Sequence, residues 1–376
     1  MSAKAAYVHI PFCSQICYYC DFAKVLLEGQ PVNDYLTALL AEWESYDIQD
    51  LRTLYIGGGT PTTLTPKQMK RLLDGLTAHL DLSNLTEFTV EANPSDLTSE
   101  LLRVLAESPV NRISLGVQTF DDALLKRIGR NHTSEEALSA LTKLRTAGFA
   151  NISMDLIYGL PRQTMDQVKS DVEKFLTLDL PHVSLYSLIL EDHTRFMQLE
   201  RAGKLHLPDD DRVADMYDYI LSELTAAGYA HYEISNFAKP DYESRHNLTY
   251  WANAEYYGIG AGASGYLDGV RYKNHGPIQH YINAVDKKVS SEILSKNEIM
   301  SEEMWLGLRR ASGVSVRNFE EKFSVKFDDV FPKVLSDLTK TDLVRFDGDN
   351  LALSERGFML GNEVFQKFLL DDEAPL

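Results

Sequence analysis

The chain has 376 residues, 44% of them hydrophobic and 24% charged, with a formal net charge of −18. That length buries a large core and leaves room for a second, smaller domain, while the acidic balance repels nucleic acid and anionic lipid, and no basic stripe offsets it. Met1-Ser2-Ala3-Lys4-Ala5-Ala6 lacks an apolar signal region and no run approaches a bilayer span, so the expectation is a cytoplasmic protein that is not integral to a membrane.

A first predicted strand, 6–10, runs straight into the chain's whole stock of cysteine: Cys13, Cys17 and Cys20. An odd number packed this closely is no disulfide framework. Iron–sulfur clusters are held by thiolates, normally one per iron, so three thiolates on a four-iron cube leave one iron open to a ligand that is not protein. Two other readings stand beside it. The cysteines could be ordinary buried small residues, or a zinc site with His9 as fourth ligand in a structural protein.

Further strands are predicted at 53–56, 87–91, 112–117, 152–157 and 183–189, alternating with amphipathic helices at 32–45, 66–79, 99–107, 134–147 and 165–177, several behind a Ser or Thr suited to capping. Strand–helix repetition means crossover units and a parallel sheet. Six units suit a partial (β/α)6 TIM-like barrel in the α/β class. Polar groups follow each strand: the cysteine loop, Gly57-Gly58-Gly59-Thr60-Pro61, Glu91-Ala92-Asn93-Pro94, Gln118, Asp155 with Tyr158-Gly159-Leu160-Pro161, and Glu191-Asp192-His193. Parallel α/β folds bind ligands at the carboxyl ends of their strands, so these groups describe one large site.

Past residue 205 a helix is predicted at 209–227, then an irregular stretch rich in aromatics and glycine to about residue 274. From about residue 290 the pattern becomes helices at 302–311, 316–322 and 330–339 and a hairpin, 343–346 with 351–353, turned by Asp347-Gly348-Asp349-Asn350. We read domains at 1–285 and 290–376, the second small, helical and winged-helix-like. From Asn297 onward 10 Lys and Arg face 16 Asp and Glu, which fits protein contact or lid duty better than DNA. The acidic tail, Asp371-Asp372-Glu373, reads as a solvated end.

Tyr7-Val8-His9-Ile10-Pro11-Phe12-Cys13, the C-x3-C-x2-C spacing and the glycine run forty residues on together resemble the radical S-adenosylmethionine (SAM) superfamily, and within it the oxygen-independent coproporphyrinogen III oxidase branch. The resemblance continues through Glu91-Ala92-Asn93-Pro94, Gly116-Val117-Gln118 and 155–161, covering most of the first 270 residues. It implies a 4Fe-4S cluster on Cys13, Cys17 and Cys20, whose open iron takes the methionyl amine and carboxylate of SAM. Tyr7 would line that pocket, and Gly58, Gly59 and Thr60 would meet the methionyl end. Glu91 and Asp155 would accept from ribose hydroxyls, with Gln118 and Arg130 completing the wall.

Two departures point away from the oxidases and toward HemW-type heme chaperones: Cys20 is followed by Asp21-Phe22 where the oxidases carry another cysteine, and only six residues precede Tyr7. His246-Asn247-Leu248-Thr249-Tyr250-Trp251 also fits the H-N-x-x-Y-W signature associated with heme in that group. His246 is a candidate axial ligand, Asn247 its orienting partner, and Tyr250 and Trp251 faces to pack on a porphyrin. The implied function is heme binding and transfer to an acceptor such as a membrane respiratory heme protein. Flavodoxin or ferredoxin would donate electrons if SAM is cleaved. The alternative is the decarboxylation of coproporphyrinogen III to protoporphyrinogen IX.

Overall fold

The computed structural model describes residues 3–370, and the acidic tail at 371–373 lies outside them. Six parallel strands stand side by side in chain order: β1 (Ala5–Ile10), β2 (Thr53–Gly58), β3 (Glu87–Ala92), β4 (Arg112–Gln118), β5 (Asn151–Tyr158) and β6 (His182–Ser187). Each neighbour follows its predecessor through a helical crossover, and the sheet does not close on itself. The partial barrel expected from the repeat is therefore what forms.

Helices fall where apolar spacing placed them. The first, Val32–Ser45, agrees with its expected limits at both ends. Thr65 with Gln68, Thr133 with Glu136 and Thr164 with Gln167 form reciprocal capping boxes on three of the four later crossovers, satisfying N–H groups that a bare helix end leaves unpaired. Their apolar faces cover the outer side of the sheet, where Val8, Leu54, Phe88, Ile113, Leu115 and Val183 are fully buried.

Three short strands, absent from the sequence expectation, extend the sheet to nine. Tyr257–Ile259 pairs parallel to β1 at one edge; at the other, Asn236–Ala238 adds antiparallel to β6 and Ala230–Glu233 adds antiparallel to Asn236–Ala238. The stretch to residue 274, expected to be irregular, also builds Ser264–Leu267 and Val270–Asn274, which join Lys288–Ile293 in a three-stranded antiparallel sheet. These strands have three to six residues, too short for a periodic pattern to declare itself.

Residues 300–368 enclose a separate core. Its first helix runs Lys296–Gly307, half a dozen residues earlier than 302–311, because Ser295 and Glu298 form a capping box at its start. The helix expected at 330–339 splits into Phe327–Val330 and Val334–Leu338, since Pro332 lacks an N–H and disfavours helical geometry at Phe331, and Lys333 turns left-handed at φ +65°. The hairpin forms, Val344–Phe346 against Asn350–Leu353, with Val314–Ser315 added as a third strand. Asp347 turns it by accepting the Asp349 and Asn350 N–H groups at 3.0 and 2.8 Å. Among the described residues no helix is long and apolar enough to cross a membrane.

Candidate functional site at the barrel mouth

Along the six parallel strands the residues alternate. One face is apolar and sits beneath the helices; the other carries Thr53 and Tyr55, Glu87, Thr89 and Glu91, Arg112, Ser114 and Gln118, Ser153 and Asp155, and His182, Ser184 and Tyr186 into the interior. Parallel sheets covered on both sides normally read as unbroken apolar runs. A polar inner face therefore marks an interior built around a ligand, and a cavity of roughly 390 Å³ opens from it to the mouth. The cavity wall includes Cys13, Cys17, Cys20, Gly58, Gly59, Thr60, Glu91, Gln118, Arg130, Asp155 and Glu191. Groups from six strand ends thus meet in one place.

The cysteine loop is pinned at its base. Phe12–Cys13 pairs with Val25–Leu26, and the Gly59 and Thr60 N–H groups donate to the Ile10 and Phe12 carbonyls at 2.8 Å, fastening the glycine run to the loop. A Cβ on Gly58, which sits at φ +114°, would lie 2.4 Å from the His9 ring, and one on Gly59 would lie 2.7 Å from the Pro11 backbone. Only glycine permits that approach. Thr60 Oγ1 reaches Cys13 Sγ at 3.7 Å and Arg130 Nη1 reaches Cys17 Sγ at 3.4 Å. Burial pushes the Cys13 thiol up to about 11 and raises Cys20 as well.

Glu91 accepts from the Tyr55 hydroxyl at 2.7 Å and the Gly58 N–H at 3.0 Å, while burial lifts its carboxyl to about 7. Asp155 accepts from Ser114 at 3.1 Å and is also raised, first by burial. Gln118 sits at φ +73° where the pairing of β4 with β5 slips by one residue, a bulge that re-aims its side chain into the mouth. Arg130 spans the loop and the strands: it bonds Asn93 Oδ1 and the Gly116 carbonyl besides Cys17, and its Nε is buried without a partner.

Several expectations need correction. Tyr7 is not on the cavity wall; its hydroxyl bonds His9 Nδ1 at 2.9 Å and its ring stacks on Tyr55, which does line the cavity. His9 bonds Ala23 O through its other nitrogen at 2.7 Å, so neither ring nitrogen is open to a zinc ion. Asn247 does not orient His246. Thr53 Oγ1 holds His246 Nδ1 at 2.9 Å and Tyr250 holds Nε2 at 2.8 Å; the ring stacks on Tyr55, and burial lowers the imidazole to about 3. His246 and Tyr250 are thus off the wall, while Asn247 is on it. Trp251 faces the C-terminal core, with the Arg309 guanidinium 5.2 Å from its ring centre. Of the last strand-end group, Glu191 lines the cavity but Asp192 pairs with Arg201 at the surface.

Reasoning from sequence missed Tyr55, Arg112 and Ser114 and gave Asn93 no role beyond its place in a strand-end motif, yet all four are on the wall. The period of two in Arg-Ile-Ser-Leu-Gly-Val-Gln, polar against apolar, was the available clue.

The donor set suits the cofactors implied by the motif. Three free thiols, two of them disfavoured as thiolates by burial, need a positively charged metal centre to hold their charge, and no disulfide competes for them. Among the described residues no three His, Cys, Asp or Glu side chains are gathered closely enough for a single metal ion. Two half-buried carboxylates with spare lone pairs, an amide and a guanidinium with an open N–H provide for hydroxyl, amine and carboxylate groups.

A model of the radical SAM superfamily matches residues 7–175, and one of the HemN C-terminal domain matches residues 294–360. The chain is 57% identical over 371 residues to the heme chaperone HemW of Lactococcus lactis subsp. lactis (strain IL1403), covering 98% of both chains. It is 46% identical to heme chaperone HemW of Bacillus subtilis (strain 168), over 97% of this chain and 99% of the relative. Among solved structures, the coproporphyrinogen III oxidase (HemN) from Escherichia coli, a radical SAM enzyme, superposes with a TM-score of 0.85 over 98% of this chain and 90% of its own; at 23% identity that likeness concerns the fold. Kinship of this extent over nearly the whole length means that the chain belongs to the HemW family of the radical SAM superfamily.

Proposed function

We propose that the protein is a heme chaperone, binding heme beside a 4Fe-4S and SAM site and passing it to an acceptor heme protein. The observation that carries this reading is the near full-length kinship, 57% and 46%, with two curated heme chaperones, against 23% for the oxidase of similar fold. Membership in the radical SAM superfamily implies the cluster and SAM. Cys13, Cys17 and Cys20 would hold the cluster, which when bound supplies an open iron for the methionyl group. Glu91 and Asp155 would take the ribose hydroxyls, Gln118 and Arg130 the remaining polar groups, and Thr60 the approach to Cys13. Gly58 and Gly59 clear the space.

For heme, the mouth offers Ile16, Phe22 and Ile189, which line the cavity yet are 37%, 66% and 67% exposed. Apolar side chains left to solvent around a polar pocket suit a flat apolar ligand that arrives and leaves. Asn247 supports a role for the H-N-x-x-Y-W helix because it faces the cavity. His246, Tyr250 and Trp251 serve by fixing that helix between the barrel floor and the C-terminal core.

The test uses anaerobically purified protein with its cluster reconstituted, SAM and a reductant, supplied once with heme and once with coproporphyrinogen III. Stoichiometric heme uptake without turnover, weakened in Asn247→Ala, is the expected result. Catalytic formation of protoporphyrinogen would replace this reading with the oxidase.

A further inference from the structure

Arg112 opens β4 at the floor of the cavity, two residues below Ser114, and so lies one layer deeper than Glu91 and two layers deeper than Asp155. It is 2% exposed, yet its side chain lines the cavity. A guanidinium presents five N–H donors in a fixed fork and cannot shed its charge by deprotonation. Here that fork is poorly served. Nη1 reaches Thr89 Oγ1 and Nη2 reaches His182 Nδ1, both at 3.5 Å, and Nε has no partner. His182 Nδ1 is already engaged by Ser153 at 2.7 Å and its Nε2 by Tyr232 at 2.8 Å.

None of the ion pairs among the described residues includes Arg112. The interior carboxylates on the flanking strands, Glu87, Glu91 and Asp155, form no ion pair with it and already accept from the Arg245 and His246 N–H groups, from Tyr55 and Gly58, and from Ser114. A buried charge without a carboxylate or a full set of acceptors is strongly unfavourable, so folded chains pair such groups or reserve them for a ligand. The open side of this one faces the cavity. Asn247, on the same cavity, makes no side-chain hydrogen bond to the described residues.

We propose that Arg112 is a carboxylate anchor: an acid group of the bound ligand enters the floor and completes the guanidinium fork, with the Asn247 amide as a second donor. Two ligands bring that chemistry, a tetrapyrrole through its propionates and SAM through its methionyl carboxylate. The methionyl end belongs at the cysteine loop, where Arg130 already stands, so the floor falls to the propionate. That assignment rests on the heme reading above.

The experiment titrates the full-length, cluster-reconstituted protein with heme, with heme dimethyl ester, whose acids are masked, and separately with SAM. Wild type, Arg112→Lys and Arg112→Gln are compared. Propionate anchoring predicts that wild type binds heme about tenfold or more tightly than the ester, that Arg112→Gln abolishes the preference, that Arg112→Lys keeps part of it, and that SAM affinity holds. No preference in wild type, with SAM affinity about tenfold weaker in Arg112→Gln and partly restored in Arg112→Lys, assigns the anchor to the methionyl carboxylate instead. Equal affinity of wild type for heme and ester, with SAM affinity unchanged in both variants, overturns the proposal. The ester comparison needs no substitution, so a misfolded variant does not hide the answer. If wild type binds no heme at all, the chaperone reading fails and the SAM arm alone decides the anchor.

Discussion

The interior of the barrel and the core of the C-terminal unit are buried to similar depth and filled in opposite ways. Inside the barrel, arginine, histidine, serine and carboxylates crowd together, and Arg112 and Arg130 keep buried N–H groups without partners. In the C-terminal unit Phe319, Phe327, Phe331 and Phe368 meet edge to face, or tilted in the case of Phe327 and Phe331, with ring centres 5.2 to 6.3 Å apart along the chain of contacts. Aromatic packing of that kind maximises apolar burial and fixes a single arrangement. The first region gives up stability for chemistry; the second supplies stability and leaves the chemistry alone.

The largest expected effect breaks the first region only. Cys13→Ser removes one of three thiolates, and cluster iron, sulfide and brown colour should be lost together, while the melting of the apoprotein stays within a few degrees of wild type, as Ser is close in size to Cys. Next, Phe331→Ala opens a cavity in the second region and should destabilise it by about 3–5 kcal/mol. Its thermal transition should fall well below wild type with the iron content per folded chain unchanged. Should either substitution damage both regions equally, the division of labour is wrong.

The smallest effect sharpens the contrast through pH. Burial raises the Glu91 carboxyl to about 7 in the folded protein, above the roughly 4.3 of an exposed glutamate. A raised acid binds more protons folded than unfolded, so its ionisation works against folding progressively from about pH 4.3 to 7 and fully above that. Glu91→Gln in the apoprotein should therefore gain on wild type as pH rises from 5 to 8. The Tm difference between the two proteins measures it; a difference that is flat or falls with pH contradicts the assignment. Bound SAM should reverse the preference, because its hydroxyls favour the carboxylate.

Much of this was legible in the amino-acid sequence. Strand–helix alternation fixed the partial barrel, and the cysteine spacing with Gly57 to Pro61 pointed to the right superfamily. Legibility failed where a residue's role depends on which side of a strand it takes or what lies across the sheet. Arg112 reads as a strand-end charge, and only the alternation of β4 with its neighbours turns it inward. His246 reads as a ligand, but Thr53, nearly two hundred residues earlier, occupies one of its nitrogens. The helix at Val334–Leu338 was misjudged because Pro332 and Lys333 break a run whose apolar spacing continues through them.

The central claim is that the cysteine loop and the polar strand ends form a single site with one iron left open. Electron paramagnetic resonance of the reduced, reconstituted protein, recorded before and after adding SAM, tests it most directly. The account predicts a 4Fe-4S signal whose shape changes on SAM binding and fails to change in Asp155→Ala. A signal indifferent to SAM in the wild type, or anaerobic protein holding zinc in place of iron and sulfide, would contradict it.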